Sequence, residues 1–539
     1  MSKKRTPALA GLLLAGQLAL AGAAFAEPDA ALQSQLEQSA LNCASGPLSL
    51  SGAEREMLLD FYRQQNDSRV WRGARYVRLL GQLEQLADDG LSPESYQLAE
   101  LRRLERVAPN DPQRGACRDL LASRAYLQAL HDLAWGRLDP AKVEPIWHSQ
   151  QTPAPVRPDS APDYAIGGLD DLAATFERAR PPLPAYRNLR KAYARLRRQT
   201  LPTWQPIGGG PLLRPGKSDP RVPLLEQRMI REGYLNAKAP ARKDPASREL
   251  YDPRLAAAVE AFQRSHLLQP DGVIGQSTLT ELNMPAAARR DQVRINLERL
   301  RWLVHEMEPS MVLVDLAGAR VSYYREGLMM WQARTQVGRA ERPSPLLKSR
   351  ITHLTLNPTW TVPPTIFRKD KLPEIQRNLG YLAENRIRVL DTTGNELNPR
   401  SVDWNNPHGV LLRQDAGPKS ALGVLAIRFP NPFSVYLHDT PSQQLFNKLP
   451  RVFSSGCVRV EKVMQLFDHL LAEATPAERE RIDALLASGK TKNVNLPHAV
   501  TILLGYWTAE ADDNGRVQYR PDIYQHDATI LAALEAAQR

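Results

Sequence analysis

The sequence predicts a multidomain α+β protein, helical through its first half and β-rich from about residue 310 onward. Three observations carry that expectation. Apolar residues recur at helical spacing between Glu54 and Leu133. A short unit of helices around one tight turn occupies residues 219–285. From Met311 the chain changes period, alternating apolar with polar residues and enriching in β-branched types, as in MVLVDL and ARVSYYRE. Its 539 residues suit three or four domains at ~100–200 residues each. Hydrophobic residues at 42% and charged residues at 24% exclude a wholly disordered chain and a multi-span membrane protein.

The N-terminus reads as an export signal over residues 1–26. Lys3, Lys4 and Arg5 precede an apolar stretch from Ala8 to Ala21, and Ala24-Phe25-Ala26 forms a small-x-small cleavage site. Retention as an inner-membrane anchor is the alternative, but Gly11, Gly16 and Gln17 interrupt a stretch already shorter than the ~20 residues a span needs. The net charge of +11 fits a polyanionic partner. Export argues that this partner is not nucleic acid.

Residues 27–201 read as a helical scaffold. Met57, Leu58 and Phe61 share one face, as do Leu79, Leu80, Leu83 and Leu86, and no catalytic residue types cluster there. The Pro-rich run 151–163 is a loop, and 202–218, with Gly208-Gly209-Gly210 among prolines, is a linker. In the module 219–285, Asp271-Gly272 makes the turn, Gly275 is expected to take a strained backbone and Ser277 to cap the last helix. A helical connector, 286–309, leads to the β-rich domain, 310–508, which contains a non-strand insertion at 362–409 and one good helix, Glu461 to Ala472. The segment 509–539 completes a hairpin, with Val500–Tyr506 pairing Gly515–Tyr519 around Asp513-Asn514-Gly515, and ends in a helix.

Three cysteines are present. Cys43 and Cys117 lie in the same region and could form a disulfide in an oxidising compartment, which leaves Cys457 as an odd thiol, inert or reactive. Its neighbours favour reactivity. Cys457 sits in FSSGCVRVEKV, between a strand-like segment and the N-terminus of the Glu461 helix, whose free N–H groups and positive end are expected to favour a thiolate. Gly456 lets backbone approach a substrate carbonyl, and consecutive N–H groups beside Ser455 could hold an oxyanion. His438, at a strand end nineteen residues earlier, is the candidate base. A zinc hydrolase is discounted, since the ten histidines show neither an H-E-x-x-H nor an H-x-H pattern. No cofactor is implied.

The runs YLHDTP (Tyr436 to Pro441) and FSSGCVRV (Phe453 to Val460) resemble the signature of the L,D-transpeptidase family, and AFQRSHLLQPDGVIGQSTLTEL (Ala261 to Leu282) resembles a three-helix peptidoglycan-binding module. LNPTWTVPPTI and SALGVLAIRFPN are similar to the large Gram-negative periplasmic subgroup, in which 362–409 would be a capping subdomain over the site. One departure is Ser455, where many members carry His. The resemblance implies a periplasmic enzyme in which Cys457 is acylated by a tetrapeptide stem with loss of D-alanine. The acyl group then passes to a diaminopimelate amine of a second stem. It further implies His438 as base, the Asp439 carbonyl or carboxylate as its orienting group, and substrate contacts from Arg459, Tyr436, Trp360 and Phe453. Carbapenems are the implied covalent inhibitors, and peptidoglycan synthases or carboxypeptidases the implied partners. An L,D-carboxypeptidase, a hydrolase that detaches lipoprotein from the wall, and a non-catalytic wall-binding scaffold are the competing readings.

Overall fold

A computed structural model describes residues 29–38, 40–43, 46–106, 111–158, 162–236 and 248–538, with the side chains of 40–48 outside the description. The expected signal segment, 1–26, lies outside the described residues. So does the side chain of Cys43; Cys117 is disulfide-bonded and Cys457 is a free cysteine. Among the described residues no helix is long and apolar enough to cross a membrane.

The chain divides into two compact units. One holds the described residues up to Tyr76 together with Glu100–Arg124, and the other holds Val77–Ala99 and everything from Ala125 on. In the first, Ser51 and Glu54 close a capping box on the helix Gly52–Arg63. Its interior is pinned by buried Asp119, which accepts from Tyr62 Oη and from the Val70 and Trp71 N–H groups.

In the second unit, helices α1 (Pro184–Arg198), α2 (Val222–Arg231), α3 (Pro253–Ser265), α4 (Gln276–Leu282) and α5 (Ala286–Glu306) precede the β-domain in the chain. The module α2–α4 is built as expected in outline, with two differences. Gly272, not Gly275, takes the left-handed backbone (φ +68°), while Gly275 is extended and serves as the N-cap of α4, so Ser277 caps nothing. The expected linker is part of the module: Ile207 and Leu213 are buried in its core, and Ile207 exchanges two hydrogen bonds with the Asn283 side chain. The connector α5 is buried on nearly all faces. It carries charges inside only because each is paired, Arg301 with Glu298 and Arg299 with Glu144 and Asp527.

The β-domain is a closed ring. Strand β1 (Trp147–His148) comes from the scaffold region; β2 (Met311–Asp315), β3 (Arg320–Arg325), β4 (Leu328–Gly338) and β5 (Leu347–Leu356) follow α5. Next come β6 (Trp360–Thr361), β7 (Ile387–Leu390), β8 (Leu411–Gln414), β9 (Leu425–Arg428), β10 (Leu437–His438), β11 (Val452–Ser454), β12 (Val458–Val460) and β13 (Lys492–Gly505). The ring runs β9-β10-β12-β4-β3-β2-β13-β5 and closes through a β5–β9 pairing, while β1 extends β5 and β11 pairs β4. Closure removes free edges around most of the core, which Val314, Leu354, Ile427, Leu437, Val458 and Ile502 fill at full burial.

The insertion is more than the loop and helices expected for 362–409. Short helices between Pro364 and Glu384 pack on a separate sheet β6-β8-β7, so the subdomain runs from Trp360 to Gln414 with its own core of Phe367, Ile375, Leu382, Val389 and Leu412. The C-terminal hairpin is also shifted. β13 is consumed by the ring, and β14 (Ala509–Ala511) pairs β15 (Val517–Tyr519) instead. Helix α6 (Val463–Leu470) packs Val463, Leu466, Phe467 and Leu470 into the ring's core, and α7 (Asp527–Ala536) packs on α5 through Ile530 and Leu534.

Candidate active site

The site is assembled by a parallel pairing. β10 and β12 lie side by side with Leu437 opposite Val458 and His438 opposite Arg459, which brings the end of one strand to the start of the other. Residues 454–457 link β11 to β12 in a tight turn. Ser454 Oγ donates to the Cys457 carbonyl (2.5 Å) and accepts the Gly456 N–H (3.2 Å). Gly456 has φ +114°, a backbone that side-chain-bearing residues rarely adopt, so glycine is required there.

Two features of this turn correct the sequence expectations. The Gly456 N–H is already engaged, so the Cys457 N–H is the group left for an oxyanion. Moreover, the helix end is too far from Cys457 to favour a thiolate. β12 intervenes, Lys462 breaks the chain into the left-handed region (φ +52°), and α6 starts only at Val463. The helix dipole falls off within a turn and gives the sulfur nothing. Burial accordingly pushes the Cys457 thiol above the usual cysteine range, against the opposing pull of Tyr436, Arg428 and Arg459. The thiol points to the Ser434 carbonyl (3.8 Å). No hydrogen bond joins it to His438 in this resting geometry.

His438 is buried, and its Nδ1 donates to the Asp439 carbonyl (2.6 Å). Burial, with Arg459 adding to it, pulls its pKa down to about 3, so the ring is neutral and its Nε2 lone pair is free. The Asp439 carboxylate is turned away, accepting from the Val424 N–H (3.0 Å) and from Gln443 Nε2 (3.3 Å). Gly423 leaves room for it: a Cβ there would meet that carboxylate at 2.1 Å.

Cys457, His438, Ser455, Arg459, Tyr436, Trp360 and Phe453 all line one cavity of about 1060 Å³, roofed on one side by the inserted subdomain. Tyr436 sits just before β10, with its ring 5.6 Å from that of His438 and under the Arg428 guanidinium at 3.9 Å. Arg459 donates to Gln336 Oε1 (3.0 Å), its Nε is buried without a partner, and it has no ion pair among the described residues; nor has Arg428. With Arg339, Arg342 and Lys371, these place five cationic side chains against the single carboxylate of Asp370. Such a cavity selects anionic ligands.

Several residues that sequence reasoning missed hold this arrangement. Ser344 Oγ donates to the Gly456 carbonyl (2.7 Å) and accepts the Gly338 N–H (3.0 Å), and Tyr524 Oη donates to the Gly338 carbonyl (2.8 Å). Arg342 donates to Ser455 Oγ (3.0 Å) while pairing with Asp370 of the inserted subdomain (2.5 Å). Among the described residues, no three His, Cys, Asp or Glu side chains gather where they could hold a metal ion.

Three family models match the chain: a "Scaffold domain" over residues 56–192, a "Putative peptidoglycan binding domain" over 218–282 and an "L,D-transpeptidase catalytic domain" over 309–480. Residues 309–480 are an L,D-transpeptidase catalytic domain. The match contains both strand ends, β10 and β12, and the turn between β11 and β12. A Haemophilus influenzae protein named "Putative L,D-transpeptidase" is 35% identical over 245 residues, which is 45% of this chain and 49% of the relative. The chain therefore spans about half the length of that curated relative. Among solved structures, an L,D-transpeptidase from Mycobacterium smegmatis is 11% identical, covering 36% of this chain and 58% of its own, with a TM-score of 0.18. One from Xylanimonas cellulosilytica is 15% identical over 55% of this chain and 99% of its own, with a TM-score of 0.17. Likenesses that loose carry no side-chain geometry, so the L,D-transpeptidase site rests on the distances above.

Proposed function

We propose that the chain is a peptidoglycan L,D-transpeptidase that works through a Cys457 thioester and joins diaminopimelate residues of two stem peptides. The observation that carries this is a free cysteine and a neutral imidazole sharing a cavity rich in unpaired cations. Because Nδ1–H is fixed on the Asp439 carbonyl, Nε2 is the basic nitrogen. It takes the thiol proton as Sγ attacks the carbonyl between the L-centre and the terminal D-alanine. The Cys457 N–H stabilises the oxyanion. The C–N bond then breaks, the imidazolium returns its proton to the departing D-alanine nitrogen, and the thioester remains. In the second half the acceptor amine attacks that carbonyl, the C–S bond breaks, and the amine proton passes through His438 to the sulfur.

Arg459 supplies the binding charge for a stem carboxylate, since it is half-buried and unpaired beside the nucleophile. The N-terminal signal pattern supports a periplasmic location, and the module at 218–282 supports contact with the wall. Carbapenems should acylate the same sulfur. The test is incubation of the mature protein with disaccharide-tetrapeptide, read by mass spectrometry. A dimer formed with loss of one D-alanine and abolished by Cys457→Ala is expected. Tripeptide alone would replace the reading with a carboxypeptidase, and unchanged substrate would favour a binding scaffold.

A further inference from the structure

A second groove, of about 620 Å³, meets the active-site cavity, and Pro343 and Phe433 line both. Its other walls combine Ser344, Pro345 and Leu346 of the β4–β5 connection with residues from outside the β-ring. Ile146 and Trp147 lead into and form β1, and Gln525, His526 and Thr529 lie at the start of α7. Trp147 is fixed by its N–H on the Leu346 carbonyl (3.1 Å) and by parallel pairing with Leu347, and its ring meets Phe433 edge-on at 6.1 Å. The next residue after Phe433 is Ser434, whose carbonyl receives the Cys457 thiol. A single short segment thus separates this groove from the sulfur.

The two spaces differ in charge. The cavity presents five cations to one carboxylate, whereas the groove contains no Lys or Arg and carries Glu144, already paired with Arg299 and His526. A transpeptidase must bring two unlike groups to one sulfur. The donor offers carboxylates, which suit the cationic cavity. The acceptor offers an amine, which is an ammonium until His438 relieves it of a proton, and which the cationic cavity repels. Aromatic walls at Trp147 and Phe433 in a cation-free groove suit an ammonium-bearing chain, and the volume suits a ligand of peptide size.

We propose that this groove is the acceptor site, taking the amine-bearing side chain of the second stem and delivering it past Phe433 to the thioester. The inference rests on the transpeptidase reading. There the C–N bond forms as the C–S bond breaks, with the amine proton leaving through His438 to the sulfur. Thr529 is exposed at the groove rim on α7 and touches nothing in the cavity, so its charge can be changed without disturbing acylation.

The experiment compares wild type, Thr529→Gln and Thr529→Arg on disaccharide-tetrapeptide. It follows acyl-enzyme formation by rapid-quench mass spectrometry, and the partition of the thioester between dimer and tripeptide. Acylation is expected within twofold of wild type in both variants. Thr529→Arg should lower the dimer-to-tripeptide ratio at least tenfold and raise the acceptor KM, and Thr529→Gln should change the ratio less than threefold. A wild-type ratio in Thr529→Arg, or a loss of acylation and transfer together in both variants, would overturn the groove while leaving the transpeptidase standing. A wild type that releases no D-alanine would overturn both.

Discussion

Cys457 and His438 differ from an activated thiolate–imidazolium pair in a way their surroundings explain. The sulfur is pushed above the usual cysteine range by burial, and the ring is pulled to about 3 by burial and Arg459. A proton on the ring and a charge on the sulfur are therefore both disfavoured before substrate arrives, and the resting site holds a thiol and a neutral imidazole. Substrate carboxylates that neutralise Arg459 would lift part of the penalty on the imidazolium, coupling activation to binding. Alkylation of Cys457 by iodoacetamide at pH 7 should therefore be slower than that of a free cysteine, and should rise with pH to a midpoint above the ordinary range. A midpoint near pH 6 would mean that the thiolate pre-exists and that burial does not hold the sulfur neutral.

At the scale of elements, Asp370 ties the inserted subdomain to the nucleophile's turn through Arg342 and, at 4.0 Å, Arg339, both of which also donate to Ser455. Asp370 lies in the turn of helix Phe367–Lys371, and Arg342 holds its carboxylate below the usual range while also donating to Ser455. Asp370→Asn should remove the ionic part of that tie, which as a partly exposed pair is worth about 1 kcal/mol or less. Amides of residues 364–384 should then exchange with deuterium about threefold faster, while those of β5 stay unchanged. Equal rates in both proteins would show that the subdomain is held by its packing alone. This tie was invisible in the sequence, since Arg342 and Ser455 are 113 positions apart. The signature residues were legible for the opposite reason: Ser454 to Cys457 form one turn whose chemistry is local. The misplaced helix start is equally physical. Nothing in the residue types of Glu461 and Lys462 opposes helix, and a left-handed Lys462 leaves no mark in the pattern, as a glycine would have done.

Across the whole molecule, the domain order was readable from changes of period, but the docking between domains was not. The expected linker is module core, and the expected connector is the buried axis of the second unit. One property links two of the parts. His438 in the L,D-transpeptidase domain and His266 in the peptidoglycan-binding-like module are both buried and both held below the ordinary value of 6.5, chiefly by desolvation. His266 is stacked between Phe262 (3.9 Å) and Tyr519 (5.4 Å), the latter from the C-terminal hairpin, so it also seals the module against that hairpin. When a folded pKa lies below the unfolded one, the unfolded chain binds more protons between the two. Stability from these groups is then complete above pH 6.5 and is lost as pH falls below it. For His438, held at about 3, the loss at pH 5 is about 2 kcal/mol, from ~1.4 kcal/mol per pH unit. Calorimetry should show Tm falling between pH 6.5 and 5, and His266→Phe, which keeps the stack and removes the titration, should flatten part of the fall. An unchanged slope in that variant would mean that the module's buried ring does not set the acid limit, and would leave His438 as the group to replace next.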